Sequence, residues 1–157
     1  MSDSRVVHLV DDEEAIRKSV GFVLSRAGYK VQPYGSGAEF LKQARAAPRG
    51  CVLLDVRMPE MDGLQVQAAM ADRGIDMPVI VLTGHGDVTI AVQAMKAGAV
   101  EFLEKPFEKA ALLAALERAF LRLERNDNRE LEQREALTRI AALTPREREI
   151  LEGLSKG

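Results

Sequence analysis

Apolar residues in the first 125 or so positions follow two alternating rhythms. Short runs that stay apolar, R-V-V-H-L-V (5–10), C-V-L-L-D (51–55), P-V-I-V-L-T (78–83) and V-E-F-L-E (100–104), read as strands. A weaker alternation from Tyr29 to Tyr34 reads as one more strand, second in chain order. Between them apolar residues recur at helical spacing: Ile16, Val20, Val23 and Leu24, then Phe40, Leu41 and Ala44, then Leu64 to Met70, then Val88 to Ala97. Gly28, Gly74 and Gly98 stand where helices end, and Pro48 with Gly50 stops the second helix. Strand then helix, five times, predicts a doubly wound α/β fold: a five-stranded parallel sheet with helices on both faces.

After Phe107 the rhythm is purely helical. Leu112, Leu113, Leu116, Phe120 and Leu123 make one apolar face, which reads equally as core or as a dimer stripe. The next segment, E-R-N-D-N-R-E-L-E-Q-R-E (124–135), is almost wholly polar but holds neither Gly nor Pro. Its residues favour helix, so a continuous helix from Phe107 to about Ile140 is expected, roughly 50 Å long.

Composition narrows the class. The 157 residues are 46% hydrophobic and 29% charged, with a formal net charge of -2, so no global field attracts nucleic acid or anionic lipid. The single cysteine, Cys51, forms no internal disulfide and fits a reducing cytoplasm. No apolar run is long enough for a bilayer, and M-S-D-S-R at the start lacks the apolar core of a signal peptide. The expectation is a soluble, cytoplasmic chain with no membrane partner.

In doubly wound sheets, ligands bind beyond the carboxyl ends of the strands, where strand order reverses. Asp11 and Asp12 end the first strand, Asp55 the third and Thr83 the fourth, while Lys105 follows the fifth. Two carboxylates about 4 Å apart repel by roughly 4 kcal/mol at an effective dielectric near 20. Either their pKa values rise or a cation neutralises them. An all-oxygen donor set points to Mg²⁺, which keeps waters and favours one or two carboxylates with a phosphate oxygen. Lys105 supplies a second positive charge and Thr83 a hydroxyl for the same phosphoryl group. Asp55, on the central strand, is the best nucleophile for an aspartyl-phosphate.

The set D-D (11–12), L-L-D-V-R-M-P-E-M-D-G (53–63), V-L-T-G-H-G (81–86) and E-K-P-F (104–107) resembles a two-component response-regulator receiver domain, flavodoxin-like in fold. The resemblance covers about residues 1–125. It implies that Asp55 is the phosphoacceptor for a histidine kinase. Asp12 would bind Mg²⁺ directly, Asp11 through water, and the Arg57 backbone carbonyl would complete the protein ligands. Thr83 and Lys105 match the family's hydroxyl and lysine, Lys105-Pro106 its cis peptide, and Phe102 its aromatic switch position. Lacking a hydroxyl, Phe102 can be biased by packing alone.

The run from His85 to Phe107 is similar to the FixJ-like branch of transcriptional regulators. L-T-P-R-E-R-E-I-L-E-G-L-S-K-G (143–157) resembles the start of a LuxR-type helix-turn-helix domain, with Thr144, Pro145 and Glu147 spaced as a capping box. The expected organisation is a receiver over 1–125, a helical linker over 126–142, and a truncated output domain over 143–157, shortened from a longer parent. The resemblance implies homodimerisation on phosphorylation and control of transcription through promoter DNA. It implies no enzyme beyond slow self-dephosphorylation.

Plainer roles fit the neighbouring residues. Asp62 reads as the cap of the third helix, and Glu13 and Glu14 as favouring the start of the first. His8 reads as a packed or half-exposed strand residue, Cys51 as small core, and His85 as a loop residue near the site. Two other functions compete. A phosphatase of the haloacid-dehalogenase type shares the Asp nucleophile and Mg²⁺, but it needs a second Asp where this chain has Arg57. A stand-alone receiver acting by protein contact is disfavoured by the helix-turn-helix opening.

One prediction follows from residues 143–157. Base readout needs the second helix of the motif in the major groove, and Thr144 to Gly157 holds one short helix at most. Arg146, Arg148 and Lys156 are offset by Glu147, Glu149 and Glu152, so phosphate attraction does not compensate. The 157-residue chain is therefore expected to show no sequence-selective binding to promoter DNA in an anisotropy titration at physiological salt, whereas a longer parent would bind. Selective binding by the short chain would contradict this.

Overall fold

The computed structural model describes residues 5–142; the expected start of a helix-turn-helix domain, 143–157, lies outside them. Five strands, β1 (Val6–Val10), β2 (Lys30–Tyr34), β3 (Cys51–Asp55), β4 (Val79–Thr83) and β5 (Glu101–Glu104), alternate with helices α1 (Glu14–Arg26), α2 (Gly37–Ala44), α3 (Gly63–Asp72), α4 (Val88–Lys96) and α5 (Lys109–Ala142). All strand pairs are parallel, in the order β2-β1-β3-β4-β5. The order reverses between β1 and β3, the strands that carry the acidic residues. The doubly wound α/β fold expected from the pattern is the fold observed.

Strand alternation sorts the core into two layers. Val10, Val52, Leu54 and Val81 pack with Phe40 of α2 and Val66 and Met70 of α3. Leu9, Leu53, Ile80 and Leu82 pack on the other face with Leu24 of α1 and Leu112, Leu116, Phe120 and Leu123 of α5. The apolar face of α5 up to Leu123 is thus core, which settles one of the two readings left open. Cys51 is buried in the same layer. Among the described residues no helix is long and apolar enough to cross a membrane.

The chain divides after Leu123 into two units. In the second, helical residues continue to Ala142. Leu131 and Leu137 are exposed there, and the Thr138 hydroxyl donates to the Arg134 carbonyl at 2.9 Å.

Helix ends obey the local chemistry. Ser36 caps α2 by accepting from the Glu39 amide, and Asp62 with Gln65 forms a reciprocal capping box on α3. Glu13 occupies the N-cap of α1 without a side-chain cap bond, and Glu14 sits in its first turn. The β3–α3 connection turns back so tightly that a Cβ on Gly63 would meet the Asp55 carbonyl oxygen and the Val56 Cα at 2.8 Å. Only glycine fits there, and its N–H donates to the Val56 carbonyl at 2.8 Å, holding the loop against the end of β3.

His8, fully buried on β1, has both ring nitrogens engaged. The Pro48 carbonyl can only accept, so Nε2 carries the proton and donates to it at 2.8 Å. Nδ1 then accepts from the Tyr34 hydroxyl at 3.0 Å. Burial pushes the His8 pKa below its ordinary 6.5, against the Pro48 bond, which pulls it up. Imidazole ¹⁵N shifts should therefore read the neutral Nε2–H tautomer at pH 6.5, where an ordinary histidine is half protonated. A half-charged ring at that pH would contradict the buried pairing.

Candidate functional site

The three acidic residues meet. Asp11 follows β1, Asp12 comes next, and Asp55 ends β3, its hydrogen-bonded neighbour. One carboxylate oxygen from each lies within 4.8 Å of the others. Asp11 and Asp55 are buried, while Asp12 is exposed and leaves the cluster open to solvent on its side. Lys105 reaches in from beyond β5, with Nζ 3.2 Å from Asp11 Oδ2 and 3.4 Å from Asp55 Oδ1. The peptide joining it to Pro106 is cis.

Each member is held from several sides. Asp11 Oδ1 accepts from the Glu13 amide at 2.9 Å, and the Arg17 guanidinium donates to the Asp11 carbonyl at 2.7 Å. Asp55 accepts from the Arg57 backbone N–H. Thr83, buried at the end of β4, donates weakly to the Leu103 carbonyl at 3.4 Å.

The Asp55 carboxyl is pushed up to about 6, first by burial and then by the charge of Asp11, while Lys105 and the Arg57 N–H pull it down. For Lys105, burial opposes the charge, but Asp55 and Asp11 outweigh it and hold the ammonium above its usual range. Three carboxylates and one ammonium leave a net charge of -2 when all are ionised, which a divalent cation matches.

Of the remaining residues singled out in the sequence, Phe102 is on β5 with its ring turned outward, 45% exposed. With Val88, Val92 and Met95 of α4 it lines a groove of about 430 Å³ that Thr83 also borders. His85 Nδ1 pairs with Glu104 Oε1 at 2.9 Å on the exposed rim. Arg57 does more than its backbone role: its side chain clamps Asp87 at the start of α4. Sequence reasoning missed that pair, because nothing in spacing relates residues thirty apart in two different loops.

A parallel sheet of order 2-1-3-4-5, with acids at the ends of β1 and β3 and a lysine paired to them, is the arrangement of a receiver domain. The family model for the response regulator receiver domain matches residues 7–117. This chain belongs to the response regulator family, which is a family of regulators and not of classical enzymes. It is 45% identical over 157 residues to the transcriptional regulatory protein FixJ of Azorhizobium caulinodans, covering 100% of this chain and 74% of that protein. The solved structure of FixJ-N is 48% identical over 73% of this chain and 92% of its own, with a TM-score of 0.71. Full-length FixJ from B. japonicum is 40% identical over 98% of this chain and 75% of its own, with a TM-score of 0.76.

The raised Asp55 pKa has a measurable consequence. Because the folded value of about 6 exceeds the ordinary 3.8, ionising Asp55 opposes folding. That cost is absent below pH 3.8, grows as pH rises through 6 and is complete above it. At about 1.4 kcal/mol per pKa unit it amounts to about 3 kcal/mol at most. Asp55→Asn is therefore expected to stabilise the metal-free chain by about 1–3 kcal/mol in urea titrations at pH 7.5. The gain should shrink as pH falls toward 4; a destabilised variant at pH 7.5 would contradict the account.

Proposed function

We propose that the chain is the phosphorylation-operated switch of a two-component system. Asp55 accepts a phosphoryl group from a histidine kinase, and the change in the receiver controls transcription through a C-terminal DNA-binding domain. The observation that carries this is the convergence of Asp11, Asp12, Asp55 and Lys105 at one rim of the sheet.

The donor set fits Mg²⁺. Its oxygens are all carboxylate, and oxygens around an octahedral Mg²⁺ at its usual bond length lie about 3–4 Å apart, comparable with the 4.8 Å limit of this cluster. Asp12 and Asp55 would be direct ligands, with the Arg57 carbonyl completing the protein set. Both Asp11 oxygens already accept hydrogen bonds, which suits a ligand acting through water. Bound there, Mg²⁺ supplies positive charge opposite the developing phosphoryl charge.

The residues of the chain do the rest. An Asp55 oxygen attacks phosphorus in line, the bond from phosphorus to the kinase's imidazole nitrogen breaks, and the electron pair leaves with that nitrogen. Lys105 follows the transferred charge away from Asp11, and the Thr83 hydroxyl turns from Leu103 to donate to a phosphoryl oxygen. Space vacated beside Thr83 admits Phe102 from the groove. The exposed apolar side chains on α4 and β5, Val88, Val92, Met95 and Phe102, then reorganise into a homodimer contact. The helical linker (126–142) conveys that change to an output domain beginning at 143, and promoter DNA is the partner of the full-length protein. Water returns the switch to its resting state by slow self-dephosphorylation. The setting is the cytoplasm.

Acetyl phosphate with Mg²⁺ should add one phosphate to the wild type and none to Asp55→Asn, read by intact mass. Equal labelling of both would refute the assignment. Asp12→Ala should weaken Mg²⁺ binding at least tenfold, since it removes a direct ligand from a site with few.

Beryllofluoride should shift the wild type toward a dimer in analytical ultracentrifugation. Val92→Glu and Lys96→Glu, on the exposed side of α4, should lower that shift while leaving the phosphate addition intact. Glu101 is a poorer probe, because it already binds Arg118. An unchanged dimerisation constant in both variants would put the interface elsewhere.

A further inference from the structure

Beside the acidic cluster a second ion pair joins Arg57 to Asp87. Nε donates to Oδ2 and an Nη to Oδ1, both at 2.8 Å, a two-pronged fit. It bridges the loops after β3 and β4, which carry Asp55 and Thr83. Asp87 is also the N-cap of α4, where an aspartate ordinarily accepts from amides of the first turn. Here its side chain makes no such bond. The contrast is internal to the molecule: Asp62 on α3 and Ser36 on α2 both cap their helices. The Asp87 carboxylate is instead held by the Arg57 guanidinium, with the Gly84 N–H as a further donor.

Arg57 is also rooted beside the acceptor, since its backbone N–H donates to the Asp55 carboxylate. Its side chain is 68% exposed while that of Asp87 is 18% exposed, so the guanidinium side of the pair faces solvent and Arg57 is free to swing from it. A phosphoryl group on Asp55 carries more charge than a carboxylate and presents three strong acceptor oxygens at that root. Guanidinium matches either partner bidentately, and the dianion is the stronger of the two.

We infer that Arg57 is a phosphoryl-gripping residue that exchanges Asp87 for the phosphoryl group, and that the released Asp87 carboxylate caps α4. The inference rests on the proposed phosphorylation of Asp55. The two states are Arg57–Asp87 with α4 uncapped and Arg57–phosphoryl with α4 capped. The exchange acts on the first turn of α4, Val88 to Ile90, next to the apolar groove. It gives the site a route to that face that does not pass through Thr83 and Phe102.

Hydrogen exchange of the amides of Thr89 and Ile90, with and without beryllofluoride and Mg²⁺, tests this on the whole chain. In the wild type beryllofluoride should raise protection there about fivefold, the worth of a typical N-cap. Asp87→Asn keeps a capping oxygen but loses the charge that holds Arg57, so it should be protected already without beryllofluoride. Asp87→Ala should be unprotected in both states. In the wild type the Arg57 Nε–H resonance should move on adding beryllofluoride, a readout that depends on no variant. Equal protection of unmodified wild type and Asp87→Asn, or an unmoved Arg57 resonance while Asp55 is occupied, would overturn the exchange alone. Failure of Asp55 to take beryllofluoride or phosphate would overturn the exchange and the proposed function together.

Discussion

Carboxylate repulsion at the carboxyl ends of β1 and β3 is the constraint around which this molecule is arranged. Asp11 and Asp55 are buried, and Asp12 stands at their open side. A parallel pairing of β1 with β3 forces the strand ends together, so the fold itself creates the crowding. Lys105 relieves part of it from beyond β5, and the tight turn at Gly63 keeps the Asp55 end of β3 from drifting away. The site stores unfavourable electrostatics that Lys105 offsets in part and that a divalent cation would offset further. That is why the proposed role of Asp55 would cost the fold stability.

The rest of the receiver distributes the consequences. Thr83 is buried with a weak hydrogen bond to Leu103, a partner it can give up. Phe102 waits on the surface against an apolar groove. Arg57 and Asp87 form a second, solvated connection between the loops on either side of the site. All three features lie beside α4, whose short outer side is apolar and exposed. The opposite layer, with α1 and α5 packed on Leu9, Leu53 and Leu82, provides the rigid backing.

Much of this was legible in the sequence, for identifiable reasons. Strand runs such as Cys51–Asp55 are unbroken and apolar, and glycines close the helices, so element order followed from periodicity. That Asp11, Asp12, Asp55 and Lys105 would meet was legible because each lies at or just past a strand end, a place that topology assigns to ligands. The role of the α5 leucines was not, since a helix stripe looks the same on a sheet as in a dimer; packing decided it. The buried His8–Tyr34 pair and the Arg57–Asp87 clamp were likewise invisible. Both join side chains from different elements, where neither period nor spacing carries a signal. Helix N-caps divide the same way: Asp62 announced itself before Gly63, while Asp87 has the right residue and a different partner.

The central claim is that the acidic cluster is a phosphoryl site centred on Asp55 and completed by a divalent cation. A crystal structure of the chain grown with Mg²⁺ and beryllofluoride tests it most directly. The account requires density for beryllofluoride on an Asp55 oxygen, a cation between Asp12 and Asp55, and Lys105 turned from Asp11 to a fluorine. Beryllofluoride bound at another carboxylate, or a cation seated away from Asp12 and Asp55, would contradict it.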